Sequence, residues 1–190
     1  EFRRVLFRSA TVAILIEGVQ GEGGITPATR EYLLGLRALC DEKKLLLFID
    51  AVQCGHFRTG RFQSFQRILE PADGSAPLPE VAGFVPDGVS MAKSLGGGFP
   101  IGAFWVRDRH ADLLGPGTHA TTFGGTPLGC AVALKILDVI ERDGLTENAR
   151  TTGDFMIREL QRLTDTYPTV LRGVRGIGFI DRKSTRLNSS

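Results

Sequence analysis

Short apolar runs alternate with helical stripes along this chain, and no other feature constrains its fold more. Thr11–Ile16 and Leu45–Ile49 are runs of β-branched and aliphatic residues without polar alternation, as in strands buried on both faces. Between them, Thr26-Pro27 is predicted to open a helix, because a capping hydroxyl precedes a proline, and its leucine stripe runs to Lys43–Lys44. This order predicts an α/β fold with a mainly parallel sheet and flanking helices.

The alternation continues towards the C-terminal end. Weaker apolar runs predict strands over Val85–Met91, Ile101–Val106 and Val174–Ile180. Periodic apolar residues predict helices over Pro127–Arg142 and Asn148–Thr164. Stretches rich in glycine, proline and small residues predict the loops, which are Gly18–Gly24, residues 55–65, Asp73–Pro79, Gly96–Gly98 and Gly115–Gly125.

Composition excludes several classes of protein. The 190 residues are 42% hydrophobic and 23% charged, which argues against disorder along the whole chain. The apolar runs span about five residues where a membrane span needs ~20, and the net charge of +2 is too small to indicate nucleic acid as a partner. Cys40, Cys54 and Cys130 form no CxxC pair, which fits a reducing cytoplasm, and the histidine spacing predicts no metal site.

The two ends differ from the interior. Residues 1–9 and residues 181–190 each carry a net charge of +2, so the interior carries −2. Neither end shows a pattern that would join a core, and the first lacks the apolar segment of a signal peptide. We expect both to be non-native tails, with ordinary disordered termini as the alternative.

Polar side chains follow the predicted strands at the sheet edge where α/β proteins bind ligands. A carboxylate at the end of an apolar strand is costly to bury unless it is paired, so Asp50 indicates an anion facing a cationic ligand nitrogen. Gln53 supplies a donor for a neighbouring ligand oxygen. A turn-forming or capping role for Asp50 stays open at this point. The residues at this edge are Glu17, Asp50, Gln53 and Lys93.

Lys93 follows a predicted strand and precedes Gly96–Gly98. The glycines let a flat ligand approach the backbone, and the apolar neighbours Met91 and Ala92 favour a nucleophilic amine. The alternative is an ordinary solvated lysine. Further along, hydroxyls between glycines in Gly117–Gly125 suit a phosphate, although this signal is weak alone.

Four segments together resemble the class III (fold type I) pyridoxal-phosphate aminotransferases. Glu17–Ile25 (EGVQGEGGI) is similar to the family block E-P-x-Q-G-E-G-G, and Leu45–Phe62 to the block that ends in D-E-V-Q-x-G-x-G-R-T-G. Pro86–Ala103 (PDGVSMAKSLGGGFPIGA) is similar to the lysine block, and Gly117–Leu134 to G-x-H-x-x-T-x-G-G-N-P-L. The blocks occur in order within residues 10–180 and are most like those of the acetylornithine group of this family.

The resemblance implies a role for each matching residue. Lys93 matches the lysine that binds the cofactor, pyridoxal 5′-phosphate, and moves the substrate proton. Asp50 matches the aspartate that keeps the pyridine nitrogen protonated, so the ring can accept electrons. Val52 would pack on the ring and Gln53 would bond its phenolic oxygen. Thr122 would reach the phosphate of a neighbouring subunit's cofactor, which implies a homodimer.

The substrate pocket is expected to involve two glutamates. Glu22 matches a carboxylate that gates the pocket and pairs with an arginine further along the chain, and Glu17 lies in the same block. Four departures from the family pattern spare the residues with chemical roles, so we expect them to affect specificity more than chemistry. These departures are Gly18, Ala51, Phe57 and Thr126.

By the same resemblance, residues 10–144 are part of the cofactor-binding large domain, and residues 145–180 begin a small C-terminal α/β domain. The family's phosphate cup, ring-stacking aromatic residue and substrate-carboxylate arginine have no counterpart in this sequence. We therefore interpret the chain as an internal fragment that is inactive alone.

The expected function is amino transfer between N-acetylornithine, or a related ω-amino donor, and a 2-oxo acid, 2-oxoglutarate, in arginine biosynthesis. Ornithine, succinylornithine and 4-aminobutyrate are alternative donors within the class. A Rossmann-type nucleotide binder is an alternative outside it, but no G-x-G-x-x-G follows the first strand. A non-catalytic α/β interaction domain would leave Lys93 and Asp50 without a use.

Overall fold

The computed structural model describes residues 10–71, 81, 83–118, 120–122 and 124–185. The predicted loop Asp73–Pro79 lies outside the described residues, as do His119 and Phe123 of the Gly115–Gly125 loop, residues 1–9 and residues 186–190. Across the described residues, no helix has both the length and the apolar character that a bilayer crossing requires.

Strands and helices follow one another along the described chain as the alternating pattern predicts. Two short 3-10 helices cover Lys93–Leu95 and Asp108–Leu114. The strands are β1 (Ala13–Glu17), β2 (Val19–Gln20), β3 (Thr26–Pro27), β4 (Leu46–Asp50), β5 (Gly88–Met91), β6 (Ala103–Val106), β7 (Leu171–Ile177) and β8 (Ile180–Thr185). The helices are α1 (Arg30–Lys43), α2 (Ser64–Leu69), α3 (Pro127–Arg142) and α4 (Leu145–Thr166).

The central sheet has the strand order β1, β4, β5, β6. β4 pairs in parallel with both β1 and β5, while β6 runs antiparallel to β5. The mainly parallel sheet is therefore confirmed. The antiparallel exception arises because no crossover α-helix separates β5 from β6, so the chain turns back beside the strand it has just left.

The start of α1 differs from the prediction, and the predicted helix opening at Thr26-Pro27 is wrong. These two residues form β3 and pair antiparallel with Val19 and Gln20 of β2. The helix cap is Thr29, whose Oγ1 accepts the N–H of Tyr32 at 3.2 Å. A Thr-Pro pair suits a strand edge as well as a helix start, and the sequence does not reveal which partner is available.

The C-terminal elements also correct the predicted boundaries. The helix over Pro127–Arg142 is confirmed, but α4 begins three residues before Asn148, because Gly144 at φ 62° turns the chain directly from one helix into the next. The predicted single strand Val174–Ile180 is wrong. It is a hairpin of β7 and β8, whose turn contains Gly178 in the left-handed region at φ 61°.

One face of the sheet carries the core. Leu47, Ile49 and Val89 point to this face and are buried against residues of α1 and α2 such as Leu33 and Phe65. The strand periodicity explains which residues face the core, because buried and half-buried residues alternate along β4. The core therefore fixes which side chains of β4 point to the other face, Asp50 among them.

The opposite face of the sheet is open within this chain. Leu15 on β1 is 65% exposed and Phe104 on β6 is 51% exposed, although the Phe104 ring packs 5.9 Å from that of Phe48. The predicted apolar stripe of α3 is also largely uncovered, with Leu134 64% exposed and Ala133 buried. Large apolar areas of this kind mark surfaces that contact further protein.

The C-terminal elements dock on the loop that follows β4. The N–H of Phe179 donates to the carbonyl of Arg58 at 2.9 Å, and a Cβ added to Gly178 would lie 2.6 Å from Cα of Thr59. Gly153 of α4 in turn faces Gly178, where an added Cβ would lie 2.4 Å from Cα. Backbone therefore meets backbone at this junction, which is possible because glycines occupy it.

Candidate active site

The register of the parallel strands brings three polar residues to one level at the carboxyl edge of the sheet. Glu17 of β1 is paired with Asp50 of β4, and Asp50 is paired with Ser90 of β5. Adjacent strands lie about 4.8 Å apart, so these side chains form one row on the open face. This is the edge at which α/β sheets bind ligands.

The Asp50 carboxylate is half-buried and held by one of its oxygens. Its Oδ1 accepts the backbone N–H of Val52 at 3.0 Å and the hydroxyl of Ser90 at 3.3 Å. Among the described residues, no hydrogen bond goes to Oδ2. The carboxylate is thus oriented by the chain and keeps one oxygen available.

Glu17 and Gln53 tie the turn after β1 to the loop after β4. Glu17 Oε2 accepts the N–H of Gly21 at 2.9 Å, which closes that turn. The amide of Gln53 lies directly over Gly21, where an added Cβ would be 1.6 Å from Gln53 Oε1. A side chain at position 21 would therefore displace the Gln53 amide from this place.

Lys93 lies just beyond the end of β5 and has an unusual backbone. Its φ is 46°, in the left-handed region that side-chain-bearing residues rarely adopt, and its side chain is exposed. The N–H of Gly96 donates to its carbonyl at 3.1 Å, and an added Cβ at Gly96 would lie 2.0 Å from the carbonyl oxygen of Phe99. Such strain is found preferentially where a side chain must be held for function.

A cavity of about 460 Å³ opens beside this row of residues. Glu17 and Asp50 line it, together with Leu15, Gln20 and Tyr32. Gln53 and Lys93 are outside its lining, so the cavity within this chain covers only part of the predicted site.

Two predicted residues lie apart from this row. Glu22 is exposed in the turn after β2, and Thr122 is exposed in the segment before α3. Contacts of these side chains with Asp50 or Lys93 are absent from the described part of the chain. Their expected roles, gating the pocket and reaching a neighbouring subunit's phosphate, remain predictions.

Two residues of the site region were missed at the sequence level. Ser90 contacts Asp50 only because of the β4–β5 register, which a single sequence does not fix. Asp87, in the motif Pro86-Asp87, is fully buried, and its Oδ2 accepts the Leu47 N–H at 2.9 Å and Arg37 Nη1 at 2.8 Å. An aspartate in an apolar strand segment was the available signal.

Asp87, itself buried, organises an ion cluster at the amino end of β5, the strand that leads to Lys93. Its Oδ1 accepts a hydrogen bond from Arg109 at 2.5 Å. Burial alone would raise the pKa of Asp87, but the Leu47 N–H and the Arg37 and Arg109 guanidinium groups hold it far below its usual range. The cluster joins α1, β4 and the 3-10 helix after β6, and so supports the register that places Ser90 beside Asp50.

Comparison with known proteins gives the family. Residues 6–182 match the family model for class-III aminotransferases. The chain belongs to this family. Among curated relatives, it is 44% identical over 169 residues to an acetylornithine aminotransferase of Nitrosomonas europaea, which covers 89% of this chain and 39% of the relative. It is 40% identical over 170 residues to a succinylornithine transaminase of Salmonella paratyphi A, covering 90% of this chain and 38% of the relative.

Solved structures agree with the sequence match. The acetylornithine aminotransferase of Elizabethkingia anophelis superimposes with a TM-score of 0.79 at 30% identity, covering 92% of this chain and 40% of that one. The expected family and the fold type I architecture of this class III aminotransferase are confirmed. The chain spans about two-fifths of the length of the relatives it matches.

Proposed function

We propose that this chain is the segment of a longer aminotransferase that carries the cofactor-binding lysine and aspartate, and that the whole enzyme moves an amino group between N-acetylornithine and 2-oxoglutarate. One observation carries the proposal: the Asp50 carboxylate at the end of β4 is oriented through Oδ1. β4 pairs directly with β5, the strand that leads into Lys93.

The residues present fit pyridoxal 5′-phosphate. An oriented carboxylate with a free oxygen suits a protonated pyridine nitrogen, and the amide of Gln53 suits the neighbouring ring oxygen. Among the glycines after Lys93, Gly98 borders open space, with nothing within 4 Å of an added Cβ, so a flat ring has room beside the backbone there. When bound, this cofactor supplies an electron sink that makes a proton on the substrate carbon removable.

The chain's own residues would then divide the work. Asp50 would hold the ring nitrogen protonated, and Val52 and Gln53 would fix the ring's position. Lys93 would bind the cofactor, and its amine, once free, would act as the base that moves the proton of the substrate carbon. The exposed amine at the end of β5 supports this role, because a base that moves a proton between two carbons must be able to swing.

The remainder of the enzyme would complete the site. The open face carrying Leu15 and Phe104 supports contact with further protein, as expected for an internal fragment of a longer chain. Thr122, exposed before α3, would contribute to the phosphate site of a second subunit in a homodimer. A cytoplasmic location is consistent with cysteines that form no CxxC pair.

The donor assignment has support from the relatives' names. The relatives compared above are named for acetylornithine and for succinylornithine, and both compounds are ornithines acylated on the α-nitrogen. Acylation removes the α-amino charge, so such donors present a single basic nitrogen, the δ-amine. An ornithine aminotransferase of Plasmodium yoelii also shares the fold, with a TM-score of 0.79 at 28% identity, and keeps free ornithine as an alternative donor.

A half-reaction panel tests the proposal. The full-length enzyme that carries this segment is loaded with cofactor and mixed in turn with N-acetylornithine, N-succinylornithine, ornithine and 4-aminobutyrate, and conversion of the cofactor to its amine form is followed by absorbance. We expect the acylated ornithines to react at least about tenfold faster than the other two. If 4-aminobutyrate reacted fastest, the proposed donor, N-acetylornithine, would be wrong. If no amine converted the cofactor, the proposed amino transfer itself would be wrong.

A further inference from the structure

We propose that Ser90 is a positioning residue for Asp50, an inference that rests on the proposed function. The two residues are direct neighbours across β4 and β5, and the Ser90 hydroxyl lies 3.3 Å from Asp50 Oδ1. The backbone supports the pair, because the N–H of Ala51 donates to the Ser90 carbonyl at 2.9 Å.

Two donors on one oxygen fix the rotation of the carboxylate. The Val52 N–H approaches Asp50 Oδ1 from the residue's own turn, at 3.0 Å, and the Ser90 hydroxyl approaches it from the neighbouring strand. Either donor alone would let the group rotate about its Cβ–Cγ bond and exchange its oxygens. Together they leave Oδ2 available for a ligand.

The same residue links the aspartate to the lysine. Ser90 lies three positions before Lys93, with one strand residue, Met91, and Ala92 between them. The strand that supplies the orienting hydroxyl therefore also sets where the backbone turn at Lys93 begins. Ser90 thus positions Asp50 from the same strand that leads into Lys93.

The test compares Ser90→Ala with Ser90→Thr in the full-length enzyme. Cofactor affinity is measured by equilibrium dialysis against pyridoxal 5′-phosphate, and kcat and KM for the donor are measured at saturating cofactor. Ser90→Ala removes a long hydrogen bond to a charged acceptor, so we expect about a three- to tenfold loss of affinity. A similar fall in kcat should accompany it without a change in KM. Ser90→Thr keeps the hydroxyl and should restore both.

Controls separate positioning from a general structural effect. Ser94→Ala removes a hydroxyl on the other side of Lys93 and should leave cofactor affinity within about twofold. If Ser90→Ala does not fold, Ser90→Cys keeps the size with a weaker donor and should give an intermediate affinity.

The outcomes bear separately on the two proposals. Affinity and kcat of Ser90→Ala within about twofold of the wild type would overturn the role of Ser90 while leaving the proposed function intact. Equal losses in Ser90→Ala and Ser90→Thr would also overturn it, because they would reflect packing and not the hydroxyl. Failure of the wild-type enzyme to bind the cofactor would instead overturn the proposed function.

Discussion

Asp50 and Lys93 end neighbouring strands, yet the chain holds them in opposite ways. Asp50 is half-buried and fixed by two hydrogen bonds to a single oxygen. Lys93 is exposed, and its constraint lies in the backbone, which has φ 46° and begins a single turn of 3-10 helix. A proton-transfer site requires an anion held in place and an amine that can move while its backbone is held in place.

Asp50→Asn should leave the fold intact and slow amino transfer. The amide oxygen can still accept from Val52 and Ser90, but an amide cannot keep a ring nitrogen protonated. Loss of one well-placed ion pair corresponds to roughly 3–5 kcal/mol, or ~10²–10⁴ in rate. Single-turnover rates of the full-length enzyme check this, and a rate within about threefold of the wild type would show that Asp50 is only a structural turn residue.

The sequence predicts the ends of strands better than the contacts between them. Asp50 could be assigned because the continuous apolar run Leu45–Ile49 stops before it, and Lys93 because glycines follow it in a segment that resembles the lysine block of the family. Ser90 could not, because its partner depends on a register set by three-dimensional packing. The error at Thr26 has the same origin, since pairing with Gln20 decides between strand and helix at that position.

At the scale of elements, Asp87 joins α1 to the sheet. Asp87→Asn should destabilise the protein by about 3–5 kcal/mol, because Arg37 would remain buried with its main charge partner removed. The exposed Asp138 on α3 provides the matched control, and Asp138→Asn should change stability by less than about 0.5 kcal/mol. Denaturant unfolding of the full-length enzyme measures both.

The effect of Asp87 should depend on pH in a defined direction. Its pKa is lowered in the folded protein, so its contribution is complete above the unfolded value of about 3.9 and is lost as the pH falls below it. The difference in unfolding free energy between the wild type and Asp87→Asn should therefore be constant at neutral pH and narrow below about pH 4. A difference that widened with acid would contradict the ion cluster.

Two helical glycines should respond oppositely to the same substitution. A Cβ at Gly153 of α4 would lie 2.4 Å from backbone of Gly178, so Gly153→Ala should destabilise the protein by about 1–3 kcal/mol. Gly35 of α1 is exposed with nothing within 4 Å, so Gly35→Ala should stabilise it by about 0.5–1 kcal/mol. Thermal unfolding of both variants checks the docking of α4 on Gly178. Equal changes in melting temperature for the two variants would contradict this docking.

At the scale of the whole molecule, the chain contains the row Glu17, Asp50 and Ser90 at the edge of the sheet, and it covers one of the two faces of that sheet. Its open face exposes Leu15 and Phe104, and its cavity reaches Asp50 but not Lys93. The matched relatives are more than twice as long, which leaves room for the missing walls. No pattern in these 190 residues could predict what covers that face.

The 190-residue chain should therefore bind pyridoxal 5′-phosphate weakly and catalyse no amino transfer. Phosphate binding needs several converging N–H and hydroxyl donors, and the described site supplies few of them. Titration of the purified chain, followed by addition of N-acetylornithine, measures this. Tight stoichiometric binding with conversion of the cofactor to its amine form would show that the segment is sufficient.

Chemical trapping of the cofactor is the most direct test of the central assignment. The full-length enzyme is incubated with pyridoxal 5′-phosphate, reduced with borohydride and digested, and the modified lysine is located by mass spectrometry. We predict one stoichiometric modification, at Lys93, that disappears in Lys93→Ala together with the visible absorbance of the bound cofactor. Stoichiometric modification of a different lysine, or normal turnover by Lys93→Ala, would contradict the assignment.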